Sequence, residues 1–372
     1  MIGSIPVENS DTLAAVRGFF RQLMETGLVD ALFLPLEIDG GVVTPALVTD
    51  PAMLEYANPF APAMPINGAR AVSALTCKGA PGSIGAVLRP CELRALIELV
   101  KLKQADLEHV TLISLDCPGT YEWSEFVKLQ QNGGFDLSDY LASACEGRSA
   151  AAPSQRMACQ MCLQPVPEGV DIHLQLYGAD LSRGIPVALD DDIADRLEYV
   201  EAENGAAAKR QEVIEASLER HAEVRQREMS DLQARLSSNG GLPSVFAACI
   251  RCHNCMTACP VCYCKNCLFR TASFDHPPEH YLNAAHLKGA LRMPGDTMLF
   301  HLTRLNHMGA SCVSCGMCTS ACPADIPVGL VFTLVGGEVQ NSFSYLPGRD
   351  LNEPLPLVTF QADEWLEIGE KR

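Results

Sequence analysis

The chain has 372 residues, enough for two or three domains, and 48% of them are hydrophobic, which excludes wholesale disorder. A formal net charge of −17 excludes the basic footprint of a nucleic-acid groove and opposes docking on an anionic membrane. The first twenty residues lack the basic and apolar stretches of a signal peptide, so a cytoplasmic protein is expected, in which seventeen cysteines call for metal rather than disulfides.

Asp11 is placed to cap a helix in which Leu13, Val16, Phe19, Phe20, Leu23 and Met24 recur at helical spacing, up to Gly27. Val29–Leu36 reads as a buried strand, turned at Asp39-Gly40-Gly41 into a second extended stretch, Val42–Val48. Ala71–Thr76, Ile84–Leu88 and Val110–Leu115 read as further short strands. Between the last two, Pro90–Gln104 reads as a helix, with Pro90 in its first turn and Leu93, Leu96, Ile97 and Val100 on one face. Strand–helix–strand at this spacing predicts a βαβ unit, hence an α/β (α+β) N-terminal domain with a parallel or mixed sheet.

Ser149–Pro153 and Pro165–Gly169 read as loops. Ala206–Leu236 reads as one long charged helix, about 46 Å at 1.5 Å per residue, stopped by Ser237–Gly241. It is read as a spacer between two redox domains. The expected organisation is an N-terminal domain over 1–200, the helical linker over 201–241, a cysteine-rich domain over 242–345 and a tail over 346–372. The longest apolar runs, Val29–Leu36 and Val328–Val335, are far shorter than the roughly 20 residues of a membrane span.

Eleven cysteines fall in two dense blocks. Cys249, Cys252, Cys255 and Cys259 are spaced x2, x2 and x3 and followed by Pro260; Cys312, Cys315, Cys318 and Cys322 repeat the pattern before Pro323. This is the bacterial two-cluster ferredoxin run, in which the fourth cysteine of each run ligates the other run's cluster. One four-iron cluster is therefore expected on Cys249, Cys252, Cys255 and Cys322, and the other on Cys312, Cys315, Cys318 and Cys259. Paired structural zinc sites are the competing reading, but they do not require two identical four-cysteine runs. The stretch between Cys259 and Cys312 is an insertion, long for a bare ferredoxin. Within it, Cys262, Cys264 and Cys267 fit part of a further cluster, a zinc site or reduced core cysteines, with Cys145 or His253 as guesses for a fourth ligand. Asp296–Met308 reads as a helix, and its His301 and His307 are left out of the sites.

Four other cysteines are widely spaced: Cys91 after Pro90, Cys117 before Pro118, and the pair Cys159 and Cys162. Cys91 and Cys117 flank the βαβ unit at the carboxyl edge of its strands, where open α/β sheets place ligands. With these motifs the chain resembles the beta subunits of deazaflavin-reducing hydrogenases and of the related formate dehydrogenases. The resemblance rests on Gly40-Gly41-Val42-Val43-Thr44, on Arg89-Pro90-Cys91-Glu92-Leu93, on Asp116-Cys117-Pro118, on Cys159-Gln160-Met161-Cys162 and on Val170-Asp171-Ile172, all in order.

The resemblance implies a third four-iron cluster on Cys91, Cys117, Cys159 and Cys162, beside an FAD that converts hydride pairs into single electrons. It implies flavin contacts at Gly40, Gly41 and Thr44, with Lys78 and Arg89 near flavin or phosphate oxygens. The implied partners are a formate dehydrogenase catalytic subunit and a heterodisulfide reductase-like module, with deazaflavin or nicotinamide as hydride carrier. No nucleophile–histidine–acid set, phosphate loop or molybdenum signature is legible, so no residue here is assigned a catalytic role and formate chemistry is expected on another chain. The alternative is a cluster- or zinc-bearing scaffold, or an electron-wiring protein without flavin.

Overall fold

The computed structural model describes residues 1–38, 41–80, 82–148, 154–197, 199, 207–290, 293–356 and 358. The Asp39-Gly40 half of the expected turn, the loop at 149–153, the start of the linker at 201–206 and most of the tail lie outside the described residues.

Strands β1 (Ile2–Pro6), β2 (Ala31–Ile38), β3 (Val42–Val48), β4 (Ile84–Leu88), β5 (Val110–Leu115), β6 (Ile172–Leu174) and β7 (Gly184–Leu189) form one sheet in the order β1-β7-β6-β5-β4-β2-β3. The central strands β2, β4, β5 and β6 are parallel, while β3, β7 and β1 add antiparallel edges. The sheet is mixed, as the βαβ reading expects. The helices, in chain order, are α1 (Thr12–Glu25), α2 (Gly68–Thr76), α3 (Pro90–Lys101), α4 (Trp123–Gln131), α5 (Leu137–Cys145), α6 (Met157–Gln160), α7 (Asp191–Arg196), α8 (Ala207–Leu236), α9 (Gly241–Val245), α10 (Asn254–Thr257), α11 (Pro278–Lys288), α12 (Gly295–Met308), α13 (Met317–Ser320) and α14 (Val328–Ser342). No helix among the described residues is long and apolar enough to cross a membrane.

Helix α1 starts where Asp11 accepts from Ala14 N at 2.8 Å, and it buries Val16, Phe19, Phe20 and Leu23. Pro90 opens α3, and the buried Glu92 carboxylate accepts from Arg89 N (2.9 Å) and from Gly68 N (2.7 Å). One side chain thus ties the starts of α2 and α3 together at the carboxyl edge of β4.

One expected strand is a helix. Ala71–Thr76 belongs to α2, which Asn67 caps by accepting from Ala69 N at 3.1 Å. Ala69, Val72 and Thr76 are its buried side chains beside Gly68, at steps of three and four, so helical periodicity wins over a short apolar run.

The described residues form two hydrophobic cores. The first packs α1 against one face of the sheet, with Phe20, Leu32, Leu34, Leu115 and Ile172 at its centre. The second joins β4, α2 and α3 to the cysteine-rich segment, so that Leu88, Leu93 and Leu96 share a core with Phe246, Phe300, Val331 and Phe332. Helix α8 is not a free-standing spacer. Arg210 reaches Asp116 after β5, the His221 ring Nδ1 lies 2.8 Å from Cys162 O, Arg220 reaches Gly147 O, and Leu232 enters the second core. The helix therefore clamps both halves, because its charged residues find fixed partners along the N-terminal half while its stripe ends on the shared core.

Candidate metal centres

The two ferredoxin-type runs share an unusual backbone. Arg251 and Ser314, at matching positions, have φ of 60° and 58°, and His253 and Gly316, two residues on, have φ of 60° and 72°. Three of these are not glycine, and the left-handed region costs such residues roughly 1–2 kcal/mol each. The alternation turns successive backbone N–H groups toward one point, making a nest that suits an anionic group such as an iron–sulfur centre. Short helices α10 and α13 start directly after the second of these residues and carry Cys255 and Cys318. This repeated strain is the observation that tests the fit of a cluster, and the residues fit.

Cys249, Cys252, Cys255 and Cys322 line one small cavity of about 20 Å³. Cys259, Cys312, Cys315 and Cys318 line another of about 20 Å³. Each cavity takes three thiols from one run and the last thiol of the other. Burial pushes the thiol pKa up to about 11 in Cys255 and Cys312 and to about 12 in Cys315, so a thiolate there needs a compensating positive centre.

Two residues left out of the sequence reading complete this region. His301 is 1% exposed, stacks on Phe246 at 3.8 Å, and holds Nε2 3.4 Å from Cys249 Sγ. Burial, then Arg304 and His253, hold its pKa down to about 4, so the ring is neutral, and Nδ1 has no partner among the described residues. Arg304 is 3% exposed and donates from Nη1 to Cys255 Sγ (3.2 Å) and from Nη2 to Cys255 O (3.1 Å). It also lines the Cys312 cavity, with its guanidinium 4.7 Å from the Phe332 ring centre. Burial alone would lower its pKa, but Cys255, Cys259 and Cys318 keep it charged. The helical spacing of Met308, Leu305 and His301 marks α12 as amphipathic, but nothing in the sequence says that its inner face points at sulfur. His307 is exposed.

The four N-terminal cysteines meet in one place. Cys91 sits in the first turn of α3, Cys117 is the second residue after β5, and Cys159 and Cys162 bracket the end of α6. All four line a cavity of about 230 Å³ that Cys315 also borders. Arg89 Nη1 lies 3.8 Å from Cys117 Sγ, and Arg156 Nη2 lies 3.7 Å from Cys159 Sγ. Burial would raise the Cys159 pKa, but Arg156 and the Thr120 hydroxyl, 3.5 Å away, bring it below the usual thiol value. Arg156 also reaches Met317 Sδ and Ser320 Oγ, both at 3.4 Å, and so spans the N-terminal cavity and α13.

Asp116 fixes the Cys117 loop. Fully buried, it pairs with Arg210, lies 2.9 Å from His173 Nε2, and accepts from Leu176 N (2.7 Å) and Tyr177 N (3.0 Å). Burial alone would raise its pKa, but Arg210 and His173 hold it at about 2. Asp116→Ala is expected to cost roughly 3–5 kcal/mol, because it strands a buried guanidinium. A clear drop in thermal midpoint checks this, and an unchanged midpoint sinks it. The carboxylate's contribution is present above its ordinary pKa of about 3.9 and is lost as pH falls through about 2.

Of the expected flavin contacts, Gly41, Thr44 and Arg89 lie toward the carboxyl edge of β2 and β4, and Lys78 lies apart from them. Gly40 lies outside the described residues. Gly41 has φ of +72°, and the Gln130 side chain covers it, 2.8 Å from where a Cβ would stand. Thr44 is exposed on the edge strand β3. Lys78 is exposed beyond the end of α2, ahead of the amino end of β4, whereas Arg89 stands at that strand's carboxyl end against Cys117. A five-residue strand separates them, so Arg89 belongs with the cysteines instead.

The insertion thiols do not form a closed set. Cys262 is half-buried and pushed up to about 11 by burial, Cys264 is exposed, and Cys267 Sγ lies 3.8 Å from Met256 Sδ. Cys145 is buried in α5, where its carbonyl accepts from Gly178 N, and His253 stacks on Phe300 at 4.4 Å. Among the described residues no three His, Cys, Asp or Glu side chains converge on a point that would hold a single metal ion.

Comparison with known proteins defines the class first. A family model described as a 4Fe-4S dicluster domain matches residues 245–326, so this is a mixed α/β protein with a C-terminal dicluster domain. The F420-dependent formate dehydrogenase subunit beta of Methanocaldococcus jannaschii is 25% identical over 383 residues, covering 93% of this chain and 94% of that protein. The F420-dependent formate dehydrogenase 1 subunit beta of Methanococcus maripaludis is 24% identical over 381 residues, covering 94% of each. Over nearly its whole length the chain fits the beta-subunit family that these relatives represent. Among solved structures, a chain of the F420-reducing [NiFe] hydrogenase complex from Methanosarcina barkeri matches partially, with a TM-score of 0.44, 10% identity, and coverage of 62% of this chain and 92% of that one.

Proposed function

We propose that this chain is the iron–sulfur electron-transfer subunit of a cytoplasmic formate dehydrogenase complex, with four-iron clusters on three sets of cysteines. The observation that carries the reading is that Cys249/Cys252/Cys255/Cys322, Cys259/Cys312/Cys315/Cys318 and Cys91/Cys117/Cys159/Cys162 each line a separate cavity. When bound, each cluster accepts and releases single electrons without making or breaking a covalent bond in a substrate. The protein's part is to hold four thiolates, to aim backbone N–H groups at them and to supply buried cations, Arg304 at the dicluster region and Arg89 with Arg156 at the N-terminal set. Anaerobically prepared protein is expected to hold about twelve iron and twelve sulfide per chain. About eight would remove the Cys91 set from the reading, and zinc with almost no sulfide would sink it entirely.

Formate oxidation is assigned to a separate catalytic subunit, and a heterodisulfide reductase-like module is a proposed electron partner. FAD, with deazaflavin or nicotinamide as carrier, enters through the family likeness. Of its candidate contacts, Gly41, Thr44 and Arg89 lie toward one edge of the sheet and Lys78 lies apart, and no step is derived through it. In a second reading the chain wires two partners without flavin. Flavin absorbance in purified protein separates the two.

Arg304 is expected to raise the reduction potential of the cluster on Cys255. Its charge-assisted hydrogen bond is worth roughly 1.5–3 kcal/mol and favours the more negative, reduced state. Arg304→Gln is therefore expected to lower that potential by on the order of 59 mV, one tenfold change for a single electron. An EPR-monitored redox titration reads it, and an unmoved midpoint would count against the role.

A further inference from the structure

The three cysteine sets lie in a row. Cys315 borders both the Cys91 cavity and its own, and Arg304 lines the Cys312 cavity while bonding to Cys255 of the next set. At the far end of the row, Cys252 is exposed and Ile250, between Cys249 and Cys252, is 67% exposed. The row therefore reaches the surface at its Cys252 end.

The surface at that end is unlike the rest of the chain. From residue 250 to 296 the sequence has five basic side chains, Arg251, Lys265, Arg270, Lys288 and Arg292, against three acidic ones, Asp275, Glu279 and Asp296; the whole chain has 28 against 45. Arg251 is next to the exposed thiol in sequence. Arg251 contacts the Tyr281 hydroxyl and pairs with Asp296 at 3.0 Å, and Tyr281, Lys288 and Asp296 line one open groove of about 630 Å³. On the other side of the set, Arg270 donates to Thr257 Oγ1 at 3.1 Å and Arg70 reaches Thr257 O, two residues beyond Cys255. Helix α11 buries none of its residues, and it exposes Leu282 and, at 85%, Leu287.

We propose that this face, centred on Ile250 and Cys252 and flanked by the basic insertion, docks an acidic protein that carries a one-electron centre. The proposal rests on the reading of the Cys249 set as a cluster site. An acidic partner is repelled by most of a chain of net charge −17 and attracted here, so charge selects the approach that brings the two centres together. The exposed leucines and the groove supply the apolar contact that charge alone does not.

The test is calorimetric titration of the full chain, prepared anaerobically, with a net-negative two-cluster ferredoxin, and with a basic c-type cytochrome as the opposite-charge control. Ferredoxin is expected to bind, with affinity falling at least tenfold between about 50 and about 300 mM salt. Arg270→Glu with Lys288→Glu is expected to lose another tenfold, and Leu287→Asp to weaken binding while keeping its salt dependence. All three side chains are exposed, so iron and sulfide content should match the parent. Loss of binding at full cluster content is thereby distinguished from failure of the cluster reading. Unchanged ferredoxin binding by the variants, or tighter binding of the cytochrome, overturns the proposal. A concentration-dependent dimer in sedimentation that the same substitutions disperse also overturns it, because the face would then belong to a second copy.

Discussion

Cys117→Ala is expected to bring iron from about twelve to about eight per chain and to leave the EPR signals of both C-terminal sites in place. The four N-terminal thiols come from three separate pieces of chain, the start of α3, the end of β5 and the turn around α6, and only Cys117 comes from the end of β5. Its loop is held independently of any metal, by Cys117 N donating to Pro165 O at 2.8 Å, by the Tyr177 hydroxyl donating to Cys117 O at 2.9 Å, and by Asp116 on Arg210. The substitution therefore removes a ligand without removing the scaffold, and a protein that still melts cooperatively near the parent temperature is part of the expected result. None of the eight C-terminal ligands is altered, although Cys315 borders the same cavity. A variant that keeps about twelve iron refutes the N-terminal set. One that loses all of its iron shows that the shared core, not the cysteine, is what the substitution breaks.

What the sequence makes legible follows a physical division. Cysteine spacing is a local constraint, so both ferredoxin-type runs are readable from one stretch each, and the structure groups their thiols around two cavities. Helix α1 is readable because cap, stripe and stop agree, and β4, α3 and β5 because a proline-opened helix lies between two apolar runs. Strand β6 has three residues and is held between β5 and β7, while β1, at the start of the chain, pairs with β7 near the end of the N-terminal half, so no local pattern announces them. The buried cations are hidden for the same reason. Arg304 and Arg156 are ordinary charges in the sequence, Arg89 is singled out there only as a flavin or phosphate neighbour, and long-range packing is what turns all three toward sulfur. The separate-domain reading missed the shared core because α3 is read locally as one amphipathic helix, and nothing local says that the dicluster segment covers it.

Crossed ligation has the sharpest consequence. Cys259 closes the first run in sequence but lines the cavity of Cys312, Cys315 and Cys318, while Cys322 closes the second run and lines the cavity of Cys249, Cys252 and Cys255. The chain after each third cysteine runs through a short helix, α10 or α13, which carries the fourth thiol away from its own run and toward the other. Cys259→Ala is therefore expected to abolish the same EPR signal as Cys312→Ala, and Cys322→Ala the same signal as Cys249→Ala. Comparing the four variants pairwise needs no prior assignment of either signal to a site. The chemical surroundings should make the two signals distinguishable. Cys249 has the neutral ring of His301 at 3.4 Å and Cys255 has Arg304 at 3.2 Å, whereas the Cys312 and Cys315 thiols have backbone hydrogen bonds from Ser314 and Met317 and Arg304 only flanks their cavity. Each substitution should remove about four iron and leave the other signal near full intensity. If Cys259→Ala instead matches Cys249→Ala, each run closes on itself, and the two cavities do not mark the ligand sets.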